Sequence, residues 1–562
     1  MKNTDFGKVD NVFFHKSYQS TRVLVLAPHP DDEINVAGNM ILTLREAGAE
    51  VYVAYSTNGD FDWPAEIRFR EVEESLRILH VDSDHFFLLG YGDTYNHTGK
   101  PHVFYAEQTV ASPAGYTETY GVPDHPDYIY YKENQHHTYT RQHYLEDLER
   151  LISDIRADII FCVDYDMHAD HRMLSLSFET VMGHILKNKD MDYHPTVYKK
   201  FAYAMGFTAA QDYSVINNRE TIRPVVGEIE AYPYDLIDQS CFGWPERVRF
   251  PVNYLCITSD LKKNPLAQAV FAHKSQRNEK NILGLLNSDD VYWQRRTDSL
   301  GYSARVMATS GDASHVNNFQ LLSTLDIDDT IPTFDTNLWK PEKNDPDKML
   351  HFSWDQPQEI AQIRLYGNFS EEGSIEQIEI SCDNGFSQKV GPLLKKGTPL
   401  VIPVIGGKEI RSCSVKILKM TGNGAGISEC EFFKEPVAEN RIAPFIKIMV
   451  QDNFVYQYYY SKKTQNIDLN IYSYPQQIPV YWEVADGDAV ISDDGVLTIK
   501  SSNAPILVRA VSKQDSNIYD QVQFVPLNLM QQVMSAFQNL KNKIYIHQLH
   551  KKSKKIQRET AK

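Results

Sequence analysis

The chain lacks any run of 18 or more apolar residues, so no membrane-spanning helix is expected. Residues Met1 to Ser20 have no apolar core of the kind that marks a secretory signal, and none is expected there either. It has no Cys-x-x-Cys pair. Its six cysteines, Cys162, Cys241, Cys256, Cys382, Cys413 and Cys430, are scattered, which suits small apolar core residues in a reducing cytoplasm better than a disulfide framework. There is no basic surplus. A formal charge of -17 offers no face for phosphate, so nucleic acid is excluded as a partner. The Gly-x-Gly-x-x-Gly phosphate loop is also missing, and with it the nucleotide-binding reading of an α/β fold.

What the chain does have is length and apolar content. With 562 residues, of which 42% are hydrophobic, it can build about three domains with real cores. The apolar run Arg22-Val23-Leu24-Val25-Leu26 reads as a buried parallel strand, and the amphipathic stretch from Asp32 to Gly48 reads as the helix after it. Between them lies Ala27-Pro28-His29-Pro30-Asp31-Asp32-Glu33, one imidazole and three carboxylates at a strand's carboxyl end, where open α/β sheets bind ligands. A second cluster, His168-Ala169-Asp170-His171, follows another buried strand at Ala157 to Val163. Catalytic zinc is held by three His or carboxylate ligands with one position left open, and His29, Asp32 and His171 supply such a set.

These motifs resemble those of the PIG-L (LmbE-like) family of zinc-dependent N-acetylglucosamine deacetylases. The resemblance covers residues 20 to 300. It extends to Thr57-Asn58-Gly59-Asp60, to Arg68-x-x-Glu71 followed by Leu76 to Leu79, to Leu88 through Asp93, and to Ala272-His273-Lys274-Ser275-Gln276. It implies His29, Asp32 and His171 as ligands of Zn2+ or another divalent metal, and Asp31 as general base. It implies His168 as electrophilic or proton-donating partner oriented by Asp170, with Arg68 and Asp93 facing the sugar hydroxyls. Ala169 stands where the family often has proline, and Asp166 where some members place a tyrosine. His273 also admits a packing or capping role, and Arg68 a pairing with Glu66 or Glu71.

Between Asp93 and Arg141 the pattern breaks into a stretch rich in Tyr, His, Pro and Gly, read as an insertion over the active site. Its tyrosines, among them Tyr95, Tyr105, Tyr116, Tyr120 and Tyr128, offer rings for stacking on sugar faces. A helix from about Thr140 to Arg156 resumes the regular pattern. Beyond Gly301 the texture is β-rich. Phe352 to Leu365, Ile375 to Cys382 and Ser414 to Leu418 read as sandwich strands, and their phrases resemble a discoidin-like (F5/8 type C) module. Residues 442 to 525, with Val480 to Val484 and Val496 to Ile499 as strands, resemble a bacterial immunoglobulin-like domain. The tail places Met530, Val533, Met534, Phe537, Leu540 and Ile544 at helical spacing before a basic run, and residues 530 to 562 carry +7. That suits peripheral contact with an anionic membrane at its inner face, or a helix packed on the last sandwich or a partner.

The expected architecture is a Rossmann-like α/β domain with a mostly parallel sheet and helices on both faces (1–300, insertion 94–140), a discoidin-like β-sandwich (301–438), an Ig-like β-sandwich (439–527) and a basic amphipathic C-terminal helix (528–562). The expected function is N-deacetylation of an N-acetylglucosamine-type glycoconjugate, lipid-linked or polymeric. The alternatives are a small N-acetylglucosamine glycoside as substrate and an inactive glycan-binding scaffold; intact Asp31 speaks against the scaffold.

Overall fold

The computed structural model describes residues 18–94, 103–165, 168–200, 202, 247–250, 253–256, 260–276, 290–322, 337–368, 373–394, 398–436, 445–450, 453–454, 457–474, 478–501, 503–516 and 518–560. The first domain runs β1 (Arg22–Ala27), α1 (Asp32–Glu46), β2 (Glu50–Thr57), α2 (Ala65–Ile78), β3 (Phe86–Tyr91), α3 (Tyr128–Glu133), α4 (Arg141–Ile155), β4 (Ile159–Val163), α5 (Ala169–Lys187), β5 (Thr196–Lys200), β6 (Arg247–Phe250), α6 (Pro265–Ala272) and β7 (Asp290–Arg295). Its sheet order is β3-β2-β1-β4-β5-β7-β6. The first five strands are parallel, and β7 pairs antiparallel with β5 and β6.

Apolar runs make the centre of that sheet. Val23 to Ala27 and all of β4 are buried, each large aliphatic side chain contributing about 1.5–3 kcal/mol. Crossovers from β1 and β4 leave in opposite directions, and right-handed connection sends their helices to opposite faces. Helices α1 and α2 accordingly pack with α6, and α4 packs with α5. The gap between β1 and β4 is the point where strand order reverses, so the turns after both strands open onto one crevice.

The described part of the insertion is built rather than irregular. It holds a 3-10 turn at Val103–Tyr105 and helix α3 against β3. His136 and Asp127 pair within it at 2.6 Å, and two of its other polar side chains close onto helix α4: Tyr128 Oη donates to Asp154 at 2.8 Å and His137 pairs with Asp147 at 2.6 Å. Tyr128 is thereby buried and Tyr95 lies outside the described residues, which narrows the tyrosines open to a ligand.

The second region forms a sandwich. A five-stranded sheet, β12-β11-β14-β9-β8, faces a three-stranded one, β13-β10-β15, with β8 (Arg305–Ala308), β9 (Met349–Gln358), β10 (Gln362–Gly367), β11 (Ser374–Cys382), β12 (Ser387–Val390), β13 (Leu400–Pro403), β14 (Ile410–Thr421) and β15 (Ile427–Phe433). The expected single strand from Phe352 to Leu365 is two strands, β9 and β10, in different sheets. The chain turns between them at Glu359 to Ala361, where Ile360 N donates to Gly407 O at 2.7 Å. A third region carries β16 (Phe445–Val450), β17 (Asn453–Phe454), β18 (Gln457–Ser461), β19 (Asn466–Tyr474), β20 (Val480–Asp486), β21 (Ala489–Ile491), β22 (Val496–Ile499), β23 (Ile506–Ser512) and β24 (Tyr519–Leu527) in sheets of five and four strands around one core. Helix α7 (Leu529–Thr560) follows, and its Tyr545, Ile546 and Leu549 pack back on the core of the first domain. None of the described helices is long and apolar enough to cross a membrane.

Candidate metal centre

The β1–α1 turn delivers His29, Asp31 and Asp32, and the start of α5 delivers His168, Asp170 and His171. Asp31 closes the turn at φ 149°, a conformation that favours glycine, and α1 begins at Asp32. Ser56 Oγ and Thr57 N at the end of β2 hold the turn by donating to the Pro28 carbonyl at 3.2 and 3.0 Å.

His29 Nδ1 lies 2.9 Å from Asp32 Oδ2, and His171 Nε2 lies 3.3 Å from that nitrogen and 3.2 Å from that oxygen. Asn35 Nδ2 donates to the other oxygen of Asp32 at 3.1 Å, which turns Oδ2 toward the two imidazoles. The edge of a tetrahedron with bonds of 2.0–2.1 Å is about 3.3 Å, so these three atoms are spaced as ligands of one divalent ion. Two wider donor groupings share His29, one with His168 and His171, the other with Asp93 and Asp170. In the latter the carboxylates are already accepting: Asp93 Oδ1 from Gly59 N at 2.9 Å and from Thr57 Oγ1, and Asp170 from Thr94 N at 3.0 Å and from Thr94 Oγ1. The Asp32 set is the one whose three mutual distances, 2.9, 3.2 and 3.3 Å, match the tetrahedral edge.

Charge points the same way. Asp32, Asp93 and Asp170 are all buried around these imidazoles. Burial works against a charged His29, yet Asp93, Asp170 and Asp32 hold its pKa well above the ordinary value. Burial would raise Asp32, but His171 and His29 keep it well below the carboxylate range. A buried excess of carboxylate that draws protons onto imidazoles is one that a divalent cation satisfies, so donors and charge fit a metal.

Asp31 stands beside this set. Its Oδ1 is 3.2 Å from Arg68 Nη2, and burial pushes its pKa up to about 6 against the opposing pull of that guanidinium. Arg68, 5% exposed, donates to the Pro30 carbonyl from both Nε and Nη2. It therefore holds the turn and Asp31 together. Glu71 does not take it, since that carboxylate accepts from Ser275 N and Oγ at 2.8 and 2.7 Å.

His168 caps α5, its Nδ1 accepting from Asp170 N at 3.2 Å. The Asp170 carboxylate, expected to orient His168, lies nearer to His29. That carboxylate reaches His29 Nε2 at 3.1 Å and stays 3.8 Å from His168, because Thr94 pins it toward β1. The backbone amide of Asp170, donating to His168 Nδ1, is the nearer contact to that ring.

The motifs contain Thr57, Asp60 and Glu33 without assigning them a role, and Thr94 lies outside the motifs. Thr57 and Thr94 fix Asp93 and Asp170, and Asp60 accepts from Asp93 N at 2.8 Å. Glu33 accepts from Ser75 Oγ at 2.7 Å and pairs with His273 Nε2 at 2.8 Å, which makes His273 a tether between α6 and α1. The signal for Asp60 was present: an acid one turn beyond the second strand, at the same sheet edge.

Residues 24–182 match the family model described as PIG-L, GlcNAc-PI de-N-acetylase. These residues are a PIG-L domain. The matched span runs from β1 into α5 and so contains both motifs. No curated protein matches the chain significantly. Among solved structures, the N,N'-diacetylchitobiose deacetylase from Pyrococcus horikoshii is 18% identical with a TM-score of 0.22, over 35% of this chain and 71% of its own. A deacetylase triple mutant from the teicoplanin biosynthetic pathway is 14% identical with a TM-score of 0.29, over 50% and 99%. The family 32 CBM from C. perfringens NanJ, in complex with galactose, is 16% identical with a TM-score of 0.17, over 24% and 94%. Likenesses at such TM-scores carry no argument about the chemistry of the PIG-L domain.

Proposed function

We propose that the chain is a zinc-dependent hydrolase that removes the N-acetyl group from an N-acetylglucosamine-type sugar of a lipid-linked or polymeric glycoconjugate. The observation that carries this reading is the triangle of His29 Nδ1, Asp32 Oδ2 and His171 Nε2 beside Asp31 in a PIG-L domain. A divalent ion held by those three atoms supplies the Lewis acid that an acetamide, a poor electrophile, requires. Asp31, a largely buried carboxylate held by Arg68 beside the three ligand atoms, takes the proton of the attacking water. With its Nδ1 accepting from a backbone amide, neutral His168 carries its proton on Nε2. It is placed to donate a hydrogen bond to the carbonyl oxygen, while the proton that Asp31 takes from the water passes on to the departing amine as acetate is released. Arg68 acts through Asp31, and Asp93 acts through the acceptors it presents beside His29.

The test is metal content together with free-amine release from N-acetylglucosamine glycosides, for the wild type beside Asp31→Ala. Metal retained with amine release lost in the variant is expected. Absence of bound metal in the wild type would sink the reading.

The same reading extends to the partner surface: an anionic membrane, met by α7. Support comes from its exposed Met530, Val533, Phe537, Leu540 and Ile544, and from a helix whose only acid is Glu559.

A further inference from the structure

From the metal centre a chain of contacts leads outward over the sheet edge into the insertion. Asp93 N donates to Asp60 Oδ1 at 2.8 Å, and Tyr120 Oη donates to Asp60 Oδ2 at 2.6 Å. The Tyr120 ring is stacked on Tyr116, with centroids 4.0 Å apart and planes at 21°. Tyr120 is also fixed through its backbone, donating to Gly90 O at 3.1 Å and accepting from Asn58 Nδ2 at 2.8 Å. Tyr116 closes a turn in which Ser112 N donates to its carbonyl at 2.8 Å and its own N donates to Ser112 Oγ at 3.3 Å. That turn sits hard on the end of β3, where a Cβ added at Gly92 would meet Ser112 Cβ at 2.4 Å.

The result is a fixed aromatic shelf. One face of Tyr116 is covered by Tyr120, and the side chain is still 46% exposed. An exposed tyrosine alone means little. This one differs in being tied, by one ring stack and two hydrogen bonds, to the backbone N of Asp93, a residue whose carboxylate has an oxygen within 4.8 Å of a ring nitrogen of His29 and a carboxylate oxygen of Asp170. Ring faces of pyranoses are C–H surfaces, which pack on an aromatic face and leave their hydroxyls to water.

We propose that Tyr116, backed by Tyr120, is the platform for a second sugar ring, the one joined to the N-acetylated residue whose amide lies at the metal centre. This rests on the hydrolase reading and narrows its substrate to a glycan or glycoside carrying a ring beyond the reacting sugar. Tyr116 is a specificity residue in this scheme and touches no reacting atom.

The experiment compares kcat/KM for free-amine release from N-acetylglucosamine and from its β-linked dimer, in the full chain and in Tyr116→Ala and Tyr116→Phe. The ratio of dimer to monomer is expected to fall about tenfold in Tyr116→Ala, through KM, and to stay near wild type in Tyr116→Phe, which keeps the ring. An unchanged ratio in Tyr116→Ala overturns the platform. Calorimetric binding of the dimer separates the two readings if no sugar is turned over. About tenfold weaker binding by Tyr116→Ala than by wild type then supports the platform while the hydrolase reading falls, and equal binding overturns the platform too.

Discussion

Asp31 is held at φ 149°, and residues in such sparsely populated conformations cost about 1–3 kcal/mol. It carries a second cost in its desolvated carboxylate, whose pKa is raised to about 6 from an ordinary 3.8. A carboxyl raised on folding contributes nothing adverse below its unfolded pKa, and its penalty grows as pH rises through the folded value. In metal-free protein, Asp31→Gly should therefore be more stable than wild type by about 1–3 kcal/mol at pH 7.5, with the advantage shrinking toward pH 4.5 as the wild-type carboxyl takes up its proton. Urea unfolding at the two pH values measures this. Equal stability at both would mean that neither strain nor desolvation resides at Asp31. At this scale the sequence showed which side chains reach the crevice, since strand ends and residue types suffice to place His29, Asp32 and His171. It did not show where the Asp170 carboxylate points, because that depends on Thr94, which a spacing argument does not see.

At the scale of elements, β1 and β4 were legible as apolar runs, and the polar turns after them as helix starts, because burial on both faces leaves little else for such sequences to be. The corner between β9 and β10 was only half legible. The polar stretch from Asp355 to Glu359, with Pro357 inside it, and the change of apolar phase from Phe352 and Trp354 to Ile363 and Leu365 mark an interruption, but its becoming a corner between two sheets depends on the pairing of Ile360 with Gly407. Close approach between elements was hidden. Gly183 on α5 faces the segment after β8, where an added Cβ would stand 2.1 Å from the Asn318 carbonyl oxygen. Because a backbone oxygen cannot swing aside, Gly183→Ala should cost about 1–3 kcal/mol by overpacking the seam between the first domain and the sandwich. Thermal unfolding reads this as a lowered Tm. A Tm equal to wild type would show that α5 and the sandwich yield to each other freely.

For the whole molecule, the change of texture near residue 301 falls between β7 and β8, a junction that the structure fills with contacts. Arg295 of β7 lies 3.8 Å from Glu431 of β15 and 4.3 Å over the Phe319 ring, and Trp354 Nε1 donates to Leu300 O at 2.9 Å. Helix α7 adds a second tie across the chain. Tyr545 Oη meets Gln268 Oε1 at 3.2 Å, and its ring packs on Phe271 of α6 at 5.6 Å. At 100° per residue, Tyr545, Ile546, Leu549 and buried Asn542 fall on one side of the helix. Met530, Val533, Phe537, Leu540 and Ile544 fall on the opposite side, continued by Lys551 and Lys555. The docked side is what the apolar spacing of the tail could not reveal, for its residues do not belong to the row that makes the sequence look amphipathic. The outward row is exposed by 48–73%, and lysines at 541 and 543 flank it, so a second copy of the helix would bring like charges together along that seam. An anionic bilayer gains about 1 kcal/mol from each basic residue near its surface and covers the apolar row as well. The full chain should then float with vesicles containing phosphatidylglycerol, more weakly as salt rises, and not with phosphatidylcholine alone. Val533→Glu with Phe537→Glu should abolish flotation without lowering Tm, because both side chains face away from the docked side. Equal flotation of this variant and the wild type would remove α7 as the contact, and no flotation of the wild type would remove the membrane.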